Sequence, residues 1–342
     1  MKPFLYNMDF VNSQSQKQLF NVVSLFAGGG GSSTGYRLAG GKVLAINEFI
    51  ESAQETYHEN YPETYIFKQD IRDLTGEMIL EKIQMKKGEL DILDGSPPCA
   101  SFSIAGAKDK MWGEVKKYSD TEQRTDDLFF EFSRVLNEVQ PKVFVCENVA
   151  GLVSGASAKL LGSEQFNIFG GEENTIFHSL VNCGYSVRYK VLNAKHYGVP
   201  QNRDRTIFIG VRNDIKANIT YPKKFDEIVT IGESLNDVEY IEMNRKAFGE
   251  SEPRRVEKNN VCFTITADGL GATRRYKVMR KNNQTSKLSI DELKILSSFP
   301  TDFKLSGSYR KQWERIGRAV PPLMMKAIAD HVYNTILKNI AI

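Results

Sequence analysis

The sequence predicts an α/β chain: a doubly wound, mostly parallel sheet with a second, smaller domain attached. Three observations carry this. Short β-branched runs alternate with stretches of helical spacing between residues 21 and 147. The rhythm then changes to two strand-like runs with too little chain between them for a full helix. Past Arg212 the periodicity weakens, and residues 213–285 are polar, basic and rich in turn formers before two helical patterns return.

Asn21–Phe26 (NVVSLF) reads as the first strand, followed by glycines and a small-residue helix start at Ser32 and Ser33. Lys42–Asn47, Tyr65–Phe67, Leu90–Asp94 and Lys142–Glu147 are the next strands. Between them Glu51–Asn60, Leu74–Lys86 and Asp127–Val139 have helical spacing, and Leu128, Phe132, Val135 and Val139 share one face. Tyr185–Asn193 and Thr206–Val211 are expected to pair antiparallel at one sheet edge. Residues 1–212 thus form the first domain. Residues 213–285 form the second, with some β structure such as Val261–Thr266. Residues 286–342 return as helices at Ile290–Ser298 and Leu323–Leu337. The latter follows Pro321 and Pro322, suited to a helix's first turn. Its apolar face predicts that it packs back on the first domain.

A chain of 342 residues can bury one large core, or one large and one small. No apolar run approaches the ~20 residues needed to span a bilayer, and Met1–Gln18 lacks the pattern of a secretory signal. A cytoplasmic protein is the expectation. The four cysteines, Cys99, Cys146, Cys183 and Cys262, are far apart and fit neither a metal-ligand pattern nor a disulfide framework. No metal is expected. The net charge of +3 is nearly balanced. Yet Arg254, Arg255, Lys258, Arg274, Arg275, Lys277, Arg280, Lys281 and Lys287 are opposed locally only by Glu257 and Asp268. Such a segment is either a phosphate-contacting surface or a solvated loop.

Four motifs carry possible chemistry. Phe26–Gly35 (FAGGGGSSTG) follows the first strand, where glycines let a ligand approach the backbone and the next helix adds N–H donors. It lacks the G-x-G-x-x-G dinucleotide spacing. Glu48 ends the second strand, in place to accept hydrogen bonds from ribose hydroxyls, and Asp70 takes the equivalent place after the third. The set suggests a nucleoside cofactor. Gly95–Ser103 (GSPPCASFS) follows the fourth strand, and two prolines stiffen the backbone before Cys99, as a nucleophile needs. Glu147, in Cys146-Glu-Asn-Val149, would face the same crevice and would hold or donate a proton if burial raised its pKa. In Val199–Arg205 (VPQNRDR), Arg203 and Arg205 stand two apart on an extended segment and are expected to face one anionic or carbonyl-bearing ligand. Taken singly, each motif has a plain structural alternative: a tight turn with surface acids, a buried thiol, a strand-end Glu, a charged turn.

In order, these motifs resemble those of the DNA (cytosine-5) methyltransferases, especially the bacterial restriction–modification enzymes. The resemblance spans nearly the whole chain except about 213–284. Phe26–Gly35 is similar to the family's cofactor loop, Pro97-Pro98-Cys99-x-x-Phe102-Ser103 to its nucleophile motif, Glu147-Asn148-Val149 to its Glu-Asn-Val motif, and Gln201-x-Arg203-x-Arg205 to its Gln-x-Arg-x-Arg motif. Leu288–Pro300 and Ile316–Pro322 resemble its last two motifs. Arg318 departs from the usual Asn of Gly-Asn-Ala-Val-Pro-Pro, so a small amide near the cofactor becomes a long cation. The Arg that often precedes the Leu-Thr-x-x-Glu element is also not evident upstream of Leu288.

The resemblance implies the S-adenosylmethionine-dependent methyltransferase fold. It implies that Phe26, Gly28, Gly30, Gly31, Glu48, Phe49, Asp70, Ile71, Pro98 and Leu128 surround S-adenosylmethionine. Cys99 would attack carbon 6 of a cytosine flipped from double-stranded DNA, Glu147 would hydrogen-bond ring N3, and Arg205, with Arg203, would hold the base's carbonyl oxygen and nearby backbone. The loop Ala100–Arg124 would close over the base, and residues 254–287 would contact DNA. A monomer is expected, with a cognate restriction endonuclease as a partner acting on the same site. The alternatives are the branch of the family that acts on a tRNA cytosine, and a non-catalytic DNA-binding relative.

Overall fold

The computed structural model describes residues 2–98, 116–119, 121–123, 125, 127–153, 176–244, 252–267 and 276–340. The parallel core is laid down in sequence order: β1 (Asn21–Leu25), α2 (Gly31–Leu38), β2 (Lys42–Asn47), α3 (Glu51–Asn60), β3 (Tyr65–Phe67), α4 (Gly76–Ile83), β4 (Ile92–Gly95), α5 (Leu128–Val139) and β7 (Val143–Val149). A short helix, α1 (Met8–Ser15), precedes it, capped by the Asn7 side chain. A hairpin of β5 (Lys116–Tyr118) and β6 (Thr121–Gln123) lies between β4 and α5. Then come α6 (Ile176–Asn182), β8 (Tyr185–Asn193) and β9 (Asp204–Arg212).

These strands form one seven-stranded sheet in the order β3-β2-β1-β4-β7-β9-β8. All neighbours from β3 to β7 are parallel, and β9 runs antiparallel to both β7 and β8. The expected antiparallel edge pair is therefore present, with β9 inserted against β7. Winding reverses between β1 and β4, so the crevice beyond their carboxyl ends is the switch point where such sheets bind ligands. β4 and most of β7 are buried, which is why they read as unbroken apolar runs. On one face α5 covers the sheet with Leu128, Phe132, Val135 and Val139 buried, as its spacing predicts. α4 is shorter than the Leu74–Lys86 pattern because the Thr75 side chain caps its start and Gln84 turns left-handed at its end.

The other face is covered by α2 and by the last helix, α10 (Pro322–Thr335), which packs back as its apolar face predicts. All eight residues of α2 are buried. A Cβ added at Gly31 would stand 2.5 Å from the Val320 carbonyl oxygen, and one at Gly35 would stand 2.5 Å from Met325 Cβ and 2.7 Å from the Pro322 oxygen. The small residues after β1 therefore serve helix–helix contact as well as the loop before them.

A second, smaller antiparallel sheet is formed by β10 (Val238–Met243), β11 (Arg254–Glu257), β12 (Tyr276–Arg280) and β13 (Thr285–Ser286), ordered β11-β10-β12-β13, with one helical turn, α7 (Ile231–Ser234), before it. It shares one hydrophobic cluster with the C-terminal helices α8 (Ile290–Leu296), α9 (Tyr309–Arg318) and α10. The expected strand at Val261–Thr266 does not form. The segment is an extended strap whose backbone bonds mostly outside any sheet. Cys262 makes an isolated bridge to Gln201, Gln201 Oε1 accepts from Ile265 N, and the Tyr276 hydroxyl and Trp313 Nε1 donate to the carbonyls of Thr264 and Thr266. Among the described residues no helix is long and apolar enough to cross a membrane.

The tight α2–α10 contact makes Gly35→Ala a sharp test of this packing. Overpacking of this kind typically costs about 1–3 kcal/mol, so the variant should unfold at lower urea concentration with an unchanged slope. Wild-type stability would contradict the contact.

Candidate active site

The carboxyl ends of β1, β2, β4 and β7 bring the sequence motifs to one edge of the sheet. After β1 the chain turns through three positive-φ residues: Phe26 at 55°, Gly28 at 57° and Gly30 at 98°. Phe26 is the unusual member, since a bulky side chain seldom adopts this conformation. A Cβ at Gly28 would meet nothing within 4 Å, so open space lies over the loop. Glu48 reaches across from the end of β2. Its Oε2 accepts from Gly28 N and its Oε1 from Ile50 N, both at 2.7 Å. Burial pushes the Glu48 carboxyl up, while the Ile50 N–H, the Arg315 charge and the Gly28 N–H pull it down. Phe49 beside it is 40% exposed, leaving an aromatic face for a ligand. Asp70 caps the turn after β3 by accepting from Arg72 N, and the Arg72 side chain bridges Asp70 and Asp127. Ile71 and Leu128 are buried, and Pro98 is half-buried at the end of the Pro-Pro frame. Gly31 is packed against Ala319 and Val320, between α9 and α10, rather than open to the crevice.

An open glycine turn, a buried carboxylate bracing it and an exposed ring fit an adenosyl group: carboxylate for ribose, ring for the flat base, backbone for close approach.

On the other side of the switch point, β4 pairs with β7 so that Asp94 lies beside Val145 and Gly95 beside Cys146. The Asn148 amide donates to the Pro97 carbonyl at 3.5 Å, linking the Glu-Asn-Val segment to the Pro-Pro frame. β9 then brings Arg205 opposite Val149. Arg205 Nε lies 2.6 Å from Glu147 Oε1, with the two side chains only 13% and 10% exposed. A largely buried, charge-assisted pair thus sits one strand from the strand that leads to Cys99. Cys99 itself lies outside the described residues. So does most of Ala100–Arg124, of which the β5–β6 hairpin is described.

Arg203 does not join Arg205. It precedes β9, where strand alternation does not govern its direction, and it is among the largest fully buried side chains. Nη1 donates to the Ile265 carbonyl, and Nη2 to those of Gly317 and Ala319, at 2.8 to 2.9 Å. Burial, followed by the Arg205 charge, pushes the guanidinium well down from its ordinary value. Gln201 is similarly occupied, with Nε2 on the Leu296 carbonyl and the Ser297 hydroxyl. Of the three motif residues only Arg205 reaches Glu147. Arg203 instead ties the start of β9 to the strap and to the end of α9.

Part of the basic stretch is paired in place. Lys258 bonds Glu239, Arg280 bonds Asp237 and Glu292, and Arg255 pairs with Glu257 while lying over the Tyr240 ring. Arg254 stacks over Phe263 near the strap. Arg274 and Arg275 lie outside the described residues.

One group had no motif to flag it. Asp94, second from the end of β4, is 1% exposed. Ser24 Oγ donates to its Oδ2 at 2.6 Å and the Tyr36 hydroxyl to its Oδ1 at 3.1 Å, tying β1, α2 and β4 together. Its only sequence signal is an acid inside an apolar strand. Burial pushes the carboxyl up to about 7 despite both donors, with the Glu147 charge adding to the shift. Since an unfolded Asp titrates near 3.8, the native state holds one extra proton between these values. That contribution to stability is fully present below about pH 4 and is lost as pH rises through about 7. Asp94→Asn should therefore flatten the decline in unfolding free energy between pH 5 and pH 8, measured by urea titration. A wild-type slope in the variant would count against this assignment.

Comparison with known proteins agrees with this geometry. The family model for C-5 cytosine-specific DNA methylases matches residues 20–259 and 225–334. The Type II methyltransferase M1.HphI of Haemophilus parahaemolyticus is 32% identical, over 91% of this chain and 86% of the relative. M.NgoPII of Neisseria gonorrhoeae, also a Type II methyltransferase, is 26% identical over 92% and 96%. Among solved structures, a Spodoptera frugiperda DNMT2 variant superposes with a TM-score of 0.65 at 16% identity, covering 90% of this chain and 97% of the other, and shares the fold. The chain belongs to the C-5 cytosine-specific DNA methylase family.

Proposed function

We propose that this protein transfers a methyl group from S-adenosylmethionine to carbon 5 of a cytosine flipped out of double-stranded DNA, with Cys99 as the nucleophile. The observation that carries this reading is the buried Arg205–Glu147 pair beside the strand feeding Pro97-Pro98-Cys99. When bound, the cofactor supplies an electrophilic sulfonium methyl. Phe26, Gly28, Gly30, Glu48, Phe49, Asp70, Ile71, Pro98 and Leu128 are the residues assigned to hold it, with Gly31 setting the helix behind the loop.

The chemistry follows from a poor nucleophile. Carbon 5 of cytosine does not attack a methyl group unaided. Addition of the Cys99 thiolate to carbon 6 pushes the ring electrons toward N3, to which Glu147 in its acid form donates its proton. Carbon 5 becomes enamine-like and takes the methyl. A base then removes the carbon-5 proton, the carbon–sulfur bond breaks and the thiolate returns. Arg205 keeps Glu147 in place and holds the base's carbonyl oxygen. The reacting edge is inaccessible in a stacked duplex, so the base must leave the helix.

DNA is favoured over tRNA as substrate because the curated relatives are named as Type II methyltransferases. That class also suggests a cognate restriction endonuclease acting on the same site, and a cytoplasmic monomer. The short recognition region of residues 213–285 suggests a short target, which methylome sequencing of cells expressing the protein would identify; an extended target would count against it.

Cys99→Ser should abolish labelled-methyl incorporation into DNA while leaving cofactor affinity near wild type by calorimetry. Glu147→Gln should slow turnover by about 10²–10⁴-fold, the usual range for a positioned proton-transfer group. Near-normal transfer by Cys99→Ser would overturn the mechanism, and incorporation into tRNA but not DNA would overturn the substrate.

A further inference from the structure

A basic ledge stands at the β8 edge of the large sheet. β7 and β8 both run antiparallel to β9, so their carboxyl ends lie on the same side of the sheet, the side of the crevice. In that register Leu192 stands opposite Arg205. The 3-10 turn Ala194–Tyr197 follows β8 and carries Lys195 and His196. Lys195 is thus three residues beyond the strand partner of the catalytic-site arginine.

A second stretch is fastened beside this turn. Phe225 N donates to the His196 carbonyl at 3.0 Å, and the Phe225 and Tyr197 rings meet edge-on at 6.2 Å. Further back, the Tyr221 hydroxyl donates to the Ile207 carbonyl, and Thr220 bonds His331 of α10. These contacts hold Lys224 against the Lys195 turn. Both charges act on His196: after burial, Lys224 and then Lys195 push its imidazole down, while Asp204 pulls it up. Lys223, Lys224 and Phe225 are exposed, and Lys195 and His196 are half-buried.

The counter-charges differ from those of the small sheet. There Arg255, Lys258 and Arg280 each pair with a carboxylate. Among the described residues Lys195, Lys223 and Lys224 form no ion pair. The nearest acid in register, Asp204, accepts from the Asn193 amide, and Asp226 and Glu227 follow Phe225 along the chain. Ammonium groups held together on a fixed backbone repel one another, and a polyanion relieves that repulsion. A duplex that delivers a base to the crevice must lay its adjoining backbone past the rim.

We propose that Lys195 and Lys224, with Lys223 beside them, contact the phosphate backbone flanking the target base, forming a DNA surface on the catalytic domain separate from the small sheet. This rests on the reading of the crevice as the place where a DNA cytosine is methylated. Such contacts position the duplex and carry no sequence information.

Fluorescence anisotropy on the full chain tests this, with a labelled target duplex and an unrelated duplex of equal length titrated between about 50 and 200 mM salt. Lys195→Gln with Lys224→Gln should make the plot of log affinity against log salt shallower by about 1.8, or about 0.9 for each phosphate contact removed. The change should be equal on both duplexes. Lys195→Arg with Lys224→Arg should keep the wild-type slope, because it keeps the charges. Each single Gln variant should show about half the effect, and serves should the double variant fail to fold. A wild-type slope in the folded Gln variants overturns the proposal alone, as does a loss confined to the target duplex. A shallower slope on a structured RNA but not on DNA overturns the choice of partner. Wild-type protein that binds neither duplex overturns the DNA reading and the proposal with it.

Discussion

One buried guanidinium joins three parts of the chain. Arg203 takes the carbonyls of Ile265 in the strap, of Gly317 in the last turn of α9 and of Ala319 just after it, and it sits immediately before β9. A buried cation with no acceptors would be strongly destabilising, and hydrogen bonds from a charged donor are each worth about 1.5–3 kcal/mol. The three carbonyls offset that burial only if the strap and the α9–α10 turn are both in place. The small domain, the C-terminal helices and the catalytic sheet are thus held in one arrangement by a group whose charge makes any looser arrangement costly. Two residues on, Arg205 inherits a fixed backbone and meets Glu147 from a defined direction.

The same economy of placement governs the other ionisable groups. Parallel sheets are buried on both faces, so their strands tolerate charge only near the ends. Glu48 and Glu147 lie at or near strand ends, and Asp70 lies in the turn after β3. Each is occupied in the bare protein: Glu48 by two backbone N–H groups, Asp70 by Arg72 and Glu147 by Arg205. This occupation is preorganisation. A ligand entering the crevice meets carboxylates already oriented, so little reorganisation accompanies binding or reaction. Asp94 lies one step deeper. Burial there holds its proton toward neutral pH, even though the Ser24 and Tyr36 hydroxyls both donate to the carboxylate.

Much of this was legible in the sequence because it is local. β-branched runs between helical spacings gave the parallel strands, and glycines, prolines and acids at strand ends marked the crevice. What was not legible depends on partners far along the chain. Val261–Thr266 has the composition of a strand, yet its backbone is claimed by Gln201, Arg203, Tyr276 and Trp313. Arg203 and Arg205 look equivalent at two-residue spacing, yet the strand begins between them. The basic stretch looks like an exposed field because its counter-charges, Asp237, Glu239 and Glu292, lie outside the window in which the charges were counted. α9 went unmarked because its sequence is polar overall, although Tyr309, Trp313 and Ile316 fall at i, i+4 and i+7 on one face.

The strap has a consequence for recognition. It leaves the small sheet near β11, runs beside Gln201–Arg203 and reaches α9, where a Cβ on Gly317 would stand 2.7 Å from Ala267 N. Backbone and side-chain bonds fasten it along this course, and no flexible tether intervenes among its described residues from Val261 to Ala267. The small sheet and the crevice at the strand ends are then joined through a strap that is bonded along its described length. Rigidity matters because a displacement of about 1 Å at the reacting atoms can cost a hundredfold in rate. Arg255 of β11, Lys258 just after it and Arg280 of β12 fit the same logic: salt bridges that fix side-chain direction favour a shaped surface over a diffuse positive field.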